Sequence, residues 1–172
     1  MKLPPDTEVF IPANDVIAST VDLKSYPRLK VLLLKPYQKV VGAVQSPQMG
    51  ILYLTSAIRE RFQQHVDIRI LDMKLEQMPA ENLLPLLKEF QPDVVGMSAL
   101  NYEAQASYRI AKVVKAFNKK IVTVVGGPFA LNAAEKILQE EENIDWVFEG
   151  PADRVFPEAL VRLVLKQELD VD

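Results

Sequence analysis

The chain has 172 residues, 49% of them hydrophobic and 25% charged, with 20 Lys and Arg against 23 Asp and Glu for a net charge of −3. That length and apolar share suit one domain with a sizeable core, and without a Lys/Arg cluster no nucleic-acid partner is expected, because phosphates demand concentrated positive charge. There is no cysteine, which excludes disulfides, thiolate zinc sites and cysteine-held iron–sulfur clusters from these residues; no apolar run reaches the roughly 18 residues of a membrane span and the start Met1-Lys2-Leu3-Pro4-Pro5-Asp6 is too polar for a signal peptide, so no membrane association and a cytoplasmic location are expected.

Residues 1–28 carry prolines at 4, 5, 12 and 27 and no sustained hydrophobic period, and read as an arm laid over the domain. From position 29 the pattern sharpens into a domain covering 29–172. Residues 29–34 form a short, almost continuously apolar run, as expected of a strand buried on both faces. Residues 35–47 follow as a long exit containing Tyr37, Gln38, Lys39 and Gly42. Strand-to-helix connections in such folds usually take about 2–6 residues, so this one reads as functional, with Tyr37 able to pack against a planar ring. Ser46-Pro47 supplies a helix start, after which Ile51, Leu54, Ile58 and Phe62 recur on one face.

Residues 66–71 give a second strand, with the sole histidine, His65, just before it. That is the amino end of the sheet, away from where ligands sit, so His65 reads as a helix-end residue rather than a ligand. Leu83, Leu86, Leu87 and Phe90 mark a second helix. Residues 93–98 form the third strand, and Asn101 is placed to cap a helix carrying Ala106, Ile110, Val113, Val114 and Phe117. Residues 121–125 form the fourth strand; Asn132 with Glu135 makes a capping-box-like opening for the next helix. Residues 144–148 form the fifth, before a last helix marked by Phe156, Leu160, Leu163 and Val164.

Five strands alternating with helices predict a flavodoxin-like (Rossmann-like) α/β fold, a five-stranded parallel sheet of order 2-1-3-4-5 with helices on both faces. Ligands then sit outside the carboxyl ends of the strands, at the switch between the first and third. Two notches of small residues fall there, Ser98-Ala99-Leu100 and Gly126-Gly127. Ser98 offers a hydrogen bond and Leu100 an apolar wall; glycines allow positive φ and close approach to backbone, and Pro128 stiffens the exit. A tight strand-to-helix turn needs similar residues with no ligand present, so the two notches together carry the reading. Asp72, Glu76, Asp145, Glu149 and Asp153 form no evident carboxylate pair, and Asp153 reads as a possible cap of the last helix.

Pro47-x-x-Gly50-Ile51-Leu52-Tyr53-Leu54, Asp93-Val-Val-Gly-Met-Ser98, Val124-Val-Gly-Gly-Pro128, Ile144-Asp-Trp-Val-Phe-Glu-Gly150 and Phe156-Pro-Glu-Ala-Leu160 occur in order. Together they resemble the amino-terminal cobalamin-binding domain of cobalamin-dependent radical S-adenosylmethionine enzymes, over about residues 29–163. The resemblance implies cobalamin with its nucleotide tail buried and its cobalt facing a separate catalytic domain. By position, Ser98, Ala99, Leu100 and Asn101 would border the tail, with Gly126 and Gly127 touching it through backbone and Pro128 and Phe129 following. Tyr37 and Gln38 would lie under the corrin, and Glu149 and Gly150 would close one side as part of the loop that runs to Asp153.

This sequence has no D-x-H-x-x-G loop, so the resemblance implies a cobalt whose lower face lacks a histidine, and no protein metal ligand is expected. Gly150-Pro-Ala-Asp153 stands where the family often has Gly-Glu-Gly-Glu, and Phe129 where it often has histidine. The family's C-x3-C-x2-C signature, which holds the [4Fe–4S] cluster that cleaves S-adenosylmethionine, needs cysteines these residues lack. A radical S-adenosylmethionine partner domain, in cis or in trans, would then carry the cluster, the S-adenosylmethionine and the methyl transfer or radical rearrangement, leaving this chain non-catalytic by itself. The alternative is a receiver-like regulatory or protein-interaction domain, although a receiver needs acids where this chain reads Leu34-Lys35-Pro36. A flavin- or nucleotide-binding domain is permitted by fold alone.

Overall fold

The computed structural model describes residues 8–10, 22–39, 48–131 and 133–169. Gly42 and the proposed helix starts Ser46-Pro47 and Asn132 lie outside these. The strands are β1 (Glu8–Phe10), β2 (Leu29–Lys35), β3 (Val66–Asp72), β4 (Val94–Ser98), β5 (Val122–Gly126) and β6 (Trp146–Phe148). Between them run α1 (Met49–Phe62), α2 (Leu84–Phe90), α3 (Ala104–Phe117) and α4 (Ala134–Glu140), and α5 (Val155–Leu169) follows β6.

All pairings are parallel and the sheet order is β1-β6-β5-β4-β2-β3. From β2 onward this is the expected 2-1-3-4-5 order, with one strand more. Part of the arm adds β1 to the open edge of β6, with Val9 opposite Val147; three residues among prolines carry too short a pattern to announce a strand. The β3 strand departs from the fully buried reading because it forms the other edge, and Ile70 is exposed there.

Alternation along the strands sends two sets of side chains to opposite faces. Leu32, Leu34, Val95, Met97, Val125 and Val147 pack with α2, α3 and α4, through Leu87, Ile110, Val114 and Ile137 among others. Val31, Leu33, Val94, Val124, Trp146 and Phe148 pack with α1 and α5, through Ile51, Ile58, Phe62, Phe156 and Leu160. Full burial of each such side chain is worth about 1.5–3 kcal/mol.

Polar ties fix the amino end of the sheet. The Asp145 carboxylate accepts from Lys115 Nζ at 2.6 Å, Thr123 N at 2.7 Å and Thr123 Oγ1 at 2.9 Å, joining α3, β5 and the entry to β6. Asp93 accepts the Lys30 amide at 2.8 Å, and burial is the main cause raising its pKa above the ordinary carboxylate value.

Candidate functional site

A cavity of about 650 Å³ opens at the carboxyl edge on the α1/α5 face. That volume is within the roughly 300–1,000 Å³ of small-molecule sites. Its sheet wall holds Leu33, Gly96, Ser98, Val124, Gly126 and Phe148; α1 contributes Ile51 and Leu54, α5 contributes Phe156, and the β6–α5 loop contributes 150–153. An ion pair between Arg61 and Glu158, at 2.9 Å, ties the two flanking helices together.

The wall is low where side chains are smallest. Ser98 lies opposite Gly126 and Gly96 opposite Val124 in the parallel register, and the Ser98 hydroxyl has no hydrogen-bond partner among the described residues. Gly127 leaves the sheet with φ +85°, and a β carbon there would stand 2.9 Å from Ala99 O and 3.0 Å from Ala99 N. Backbone thus passes against backbone, with Ala99 N donating to Gly126 O and Phe129 N to Ala99 O, both at 3.0 Å. Gly150 also has positive φ, at +90°.

Of the twelve residues expected at the site, the structure brings Ser98, Gly126, Gly127 and Gly150 to this cavity. Ala99 is buried in the turn, its backbone engaged as described. Leu100 does not wall the cavity: it is half-buried, and its amide donates to Glu103 Oε2 at 2.8 Å. Asn101 and Pro128 are exposed, and Glu149 is half-buried beside the lining. Phe129 lies on the opposite side of the sheet, edge-on to Tyr108 with ring centroids 5.9 Å apart.

Tyr37 and Gln38 also fall elsewhere, because the chain turns toward α3 after Pro36. They border a separate recess of about 260 Å³ on the α2/α3 face, where Arg109 Nη2 donates to Gln38 Oε1 at 3.1 Å. Asn101 is not the cap expected of it; the Glu103 carboxylate makes that contact from inside the turn.

Several lining residues were not anticipated. Leu33, Ile51, Leu54 and Phe156 read from sequence as ordinary core positions, although a glycine inside an apolar strand, Gly96, signals close approach at that face. Beside the notch stands a buried ion pair, Lys35 with Glu103, 4% and 0% exposed. Lys35 Nζ also donates to Ser98 O at 3.3 Å, while Glu103 Oε1 is buried without a hydrogen-bond partner. The pair holds both ends of the Ser98–Leu100 turn, at the switch point between β2 and β4. His65 precedes β3, and seven strand residues at about 3.3 Å each set it roughly 20 Å from the carboxyl edge.

Among the described residues no helix is long and apolar enough to cross a membrane, and no group of His, Cys, Asp or Glu is arranged to hold a metal ion. In solved structures, the response regulator RcsB of Salmonella typhimurium is similar at TM-score 0.50 and 13% identity, over 79% of this chain and 59% of that one, a likeness of fold alone. An uncharacterized methyltransferase of Pyrococcus horikoshii is 32% identical over 82% of this chain and 31% of its own length. The anaerobic magnesium-protoporphyrin IX monomethyl ester cyclase of Cereibacter sphaeroides is 27% identical over 72% of this chain and 19% of its own. The chain thus spans less than a third of either relative. Residues 40–160 match the B12 binding domain model, and the chain belongs to the B12-binding domain family.

Proposed function

We propose that the cavity receives the nucleotide tail of cobalamin, leaving the corrin on the carboxyl edge of the sheet. The observation that carries this is the cavity itself, which lies against Ser98, Gly126 and Gly127 at the ends of β4 and β5. The residues fit the group: a planar heterocycle needs a flat, largely apolar slot, and Gly96 and Gly126 withhold side chains from the sheet wall while Phe148 on β6 and Phe156 on α5 supply aromatic surface. The free Ser98 hydroxyl is available to a polar atom of the tail.

When bound, cobalamin supplies cobalt-centred methyl transfer or radical chemistry; the chain's residues bury and orient it. The single histidine stands at the opposite end of the sheet, so this chain would offer no imidazole to a cobalt held at the carboxyl edge. The partner is a radical S-adenosylmethionine catalytic domain, which would hold the [4Fe–4S] cluster and S-adenosylmethionine. Support comes from the ordered motifs, from the methyltransferase and cyclase names of the two relatives, and from the length those relatives have beyond the matched region.

The test is to mix the protein with hydroxocobalamin, desalt it and record the visible spectrum. A corrinoid spectrum travelling with the protein is expected; a colourless fraction refutes the reading. After reduction to the cob(II) state, electron paramagnetic resonance should show no nitrogen splitting from an axial imidazole.

A further inference from the structure

The cavity is polar at its rim and apolar at its floor. Tyr53, Ser56, Glu60 and Asp153 line it from exposed positions, whereas Leu33, Gly96, Val124, Phe148 and Phe156 line it from buried ones. At that depth the strands are paired in register, Leu33 with Gly96 and Gly96 with Val124, so their amides and carbonyls are engaged with one another. None of these five side chains can give or take a hydrogen bond; the free Ser98 hydroxyl lies two residues along β4 from Gly96, nearer the carboxyl edge. The Phe148 and Phe156 rings meet edge to face, 5.0 Å apart at 89°.

Resting on the tail-binding reading above, we infer that this site selects corrinoids by the base that ends the tail, accepting one with an apolar far edge, such as dimethylbenzimidazole, over a purine. A benzimidazole carrying methyl groups buries only carbon against these five residues. Adenine has nearly the same outline, yet it would bring an amino group and ring nitrogens to a floor with no partner for them, and a buried polar group left unpaired is penalised.

Gly96 sets how deep the base can go. A β carbon at that position would stand 2.8 Å from Leu33 Cδ2 and 3.9 Å from Phe156 Cζ. The crowded atom is the tip of a flexible side chain, and the free space beside it is the cavity. Gly96→Ala therefore drives Leu33 upward and raises the floor, with no change demanded of the backbone.

The experiment measures, by calorimetric titration of the unmodified protein, the affinities of cobalamin, of the analogue whose lower base is adenine, and of cobinamide, which has no nucleotide. Cobalamin should bind at least about tenfold more tightly than the adenine analogue, and cobinamide more weakly still. Gly96→Ala should lose about tenfold for cobalamin and leave cobinamide unchanged. Cobalamin and the adenine analogue agreeing within about twofold would overturn the selection, and so would cobinamide matching cobalamin. Failure of all three to bind defeats the tail-binding reading itself, and this inference with it. The corrinoid series decides the question on the unmodified protein even if the variant does not fold.

Discussion

Gly126→Val separates the shape of the slot from the stability of the fold. Gly126 ends β5 outside the left-handed φ range, and a β carbon there would lie 3.8 Å from Phe148 Cβ and Phe148 O, an ordinary contact. Strand backbone welcomes valine, so stability should stay within about 1 kcal/mol of the parent. The two added methyl groups have nowhere to go but the cavity that Gly126 lines. Forcing carbon into a filled site costs about 1–3 kcal/mol, which for a bound tail means affinity weakened roughly 5- to 150-fold. Trp146, the chain's one tryptophan, is buried in the same core and gives a fluorescence signal for both measurements. Hydroxocobalamin titration reports affinity, and urea unfolding reports stability. A folded, equally stable Gly126→Val protein that binds cobalamin as the parent does would refute the placement of the tail along β5.

Gly127→Ala should behave differently, losing about 1–3 kcal/mol of stability because φ is +85° and the new carbon meets the Ala99 backbone; a urea midpoint equal to that of the parent would contradict this. Lys35→Met and Glu103→Ala each strand a buried charge and should cost about 3–5 kcal/mol, with the double variant losing clearly less than the sum, as a thermodynamic cycle of urea unfolding would read. Asp93→Asn keeps an acceptor for the Lys30 amide while removing a carboxylate whose pKa burial raises. For such a group the folded state holds its proton more tightly, so ionisation penalises the fold above the folded pKa, and the penalty vanishes below the unfolded value of 3.8. The variant should therefore exceed the parent in stability at pH 7, with the difference shrinking as pH falls toward 4; a gap that widens on acidification would reverse the sign.

The strands were legible because a parallel sheet covered on both faces must be built from nearly unbroken apolar runs. The same logic made β3 look more buried than it is, since an edge strand uses similar residues with one flank uncovered. The notch was legible too, because serine and glycine at adjacent strand ends are unusual where large residues fill a core. What the sequence could not distinguish was the destination of side chains after each strand. Tyr37 and Phe129 both leave carboxyl ends, yet both pack on the α2–α4 side. The helix wall stayed hidden for another reason: Ile51 and Leu54 fill the same helical stripe whether they cover core or cavity. Lys35 carried no signal at all, because lysine is almost never fully buried unless paired, and its partner lies 68 residues away.

The slot exists on one face alone because the strand period is two. Gly96 and Ser98 on β4 share a face with Val124 and Gly126 on β5, while the intervening Val95, Met97 and Val125 send full-sized side chains to the other. A slip of one residue in either strand would move a small residue to the α3 side and close the notch, so the register that builds the sheet also builds the site. Leaving this space open forgoes packing that a filled core would have, and lost core side chains cost about 2–5 kcal/mol each in other folds. A ligand that fills the slot restores those contacts in the folded state alone, and by mass action it stabilises the fold that shaped the slot. Rigidity at the mouth is then needed for the slot to keep its width. The Lys35–Glu103 pair serves that end, fixing Ser98 O from one side of the turn and the Leu100 amide from the other.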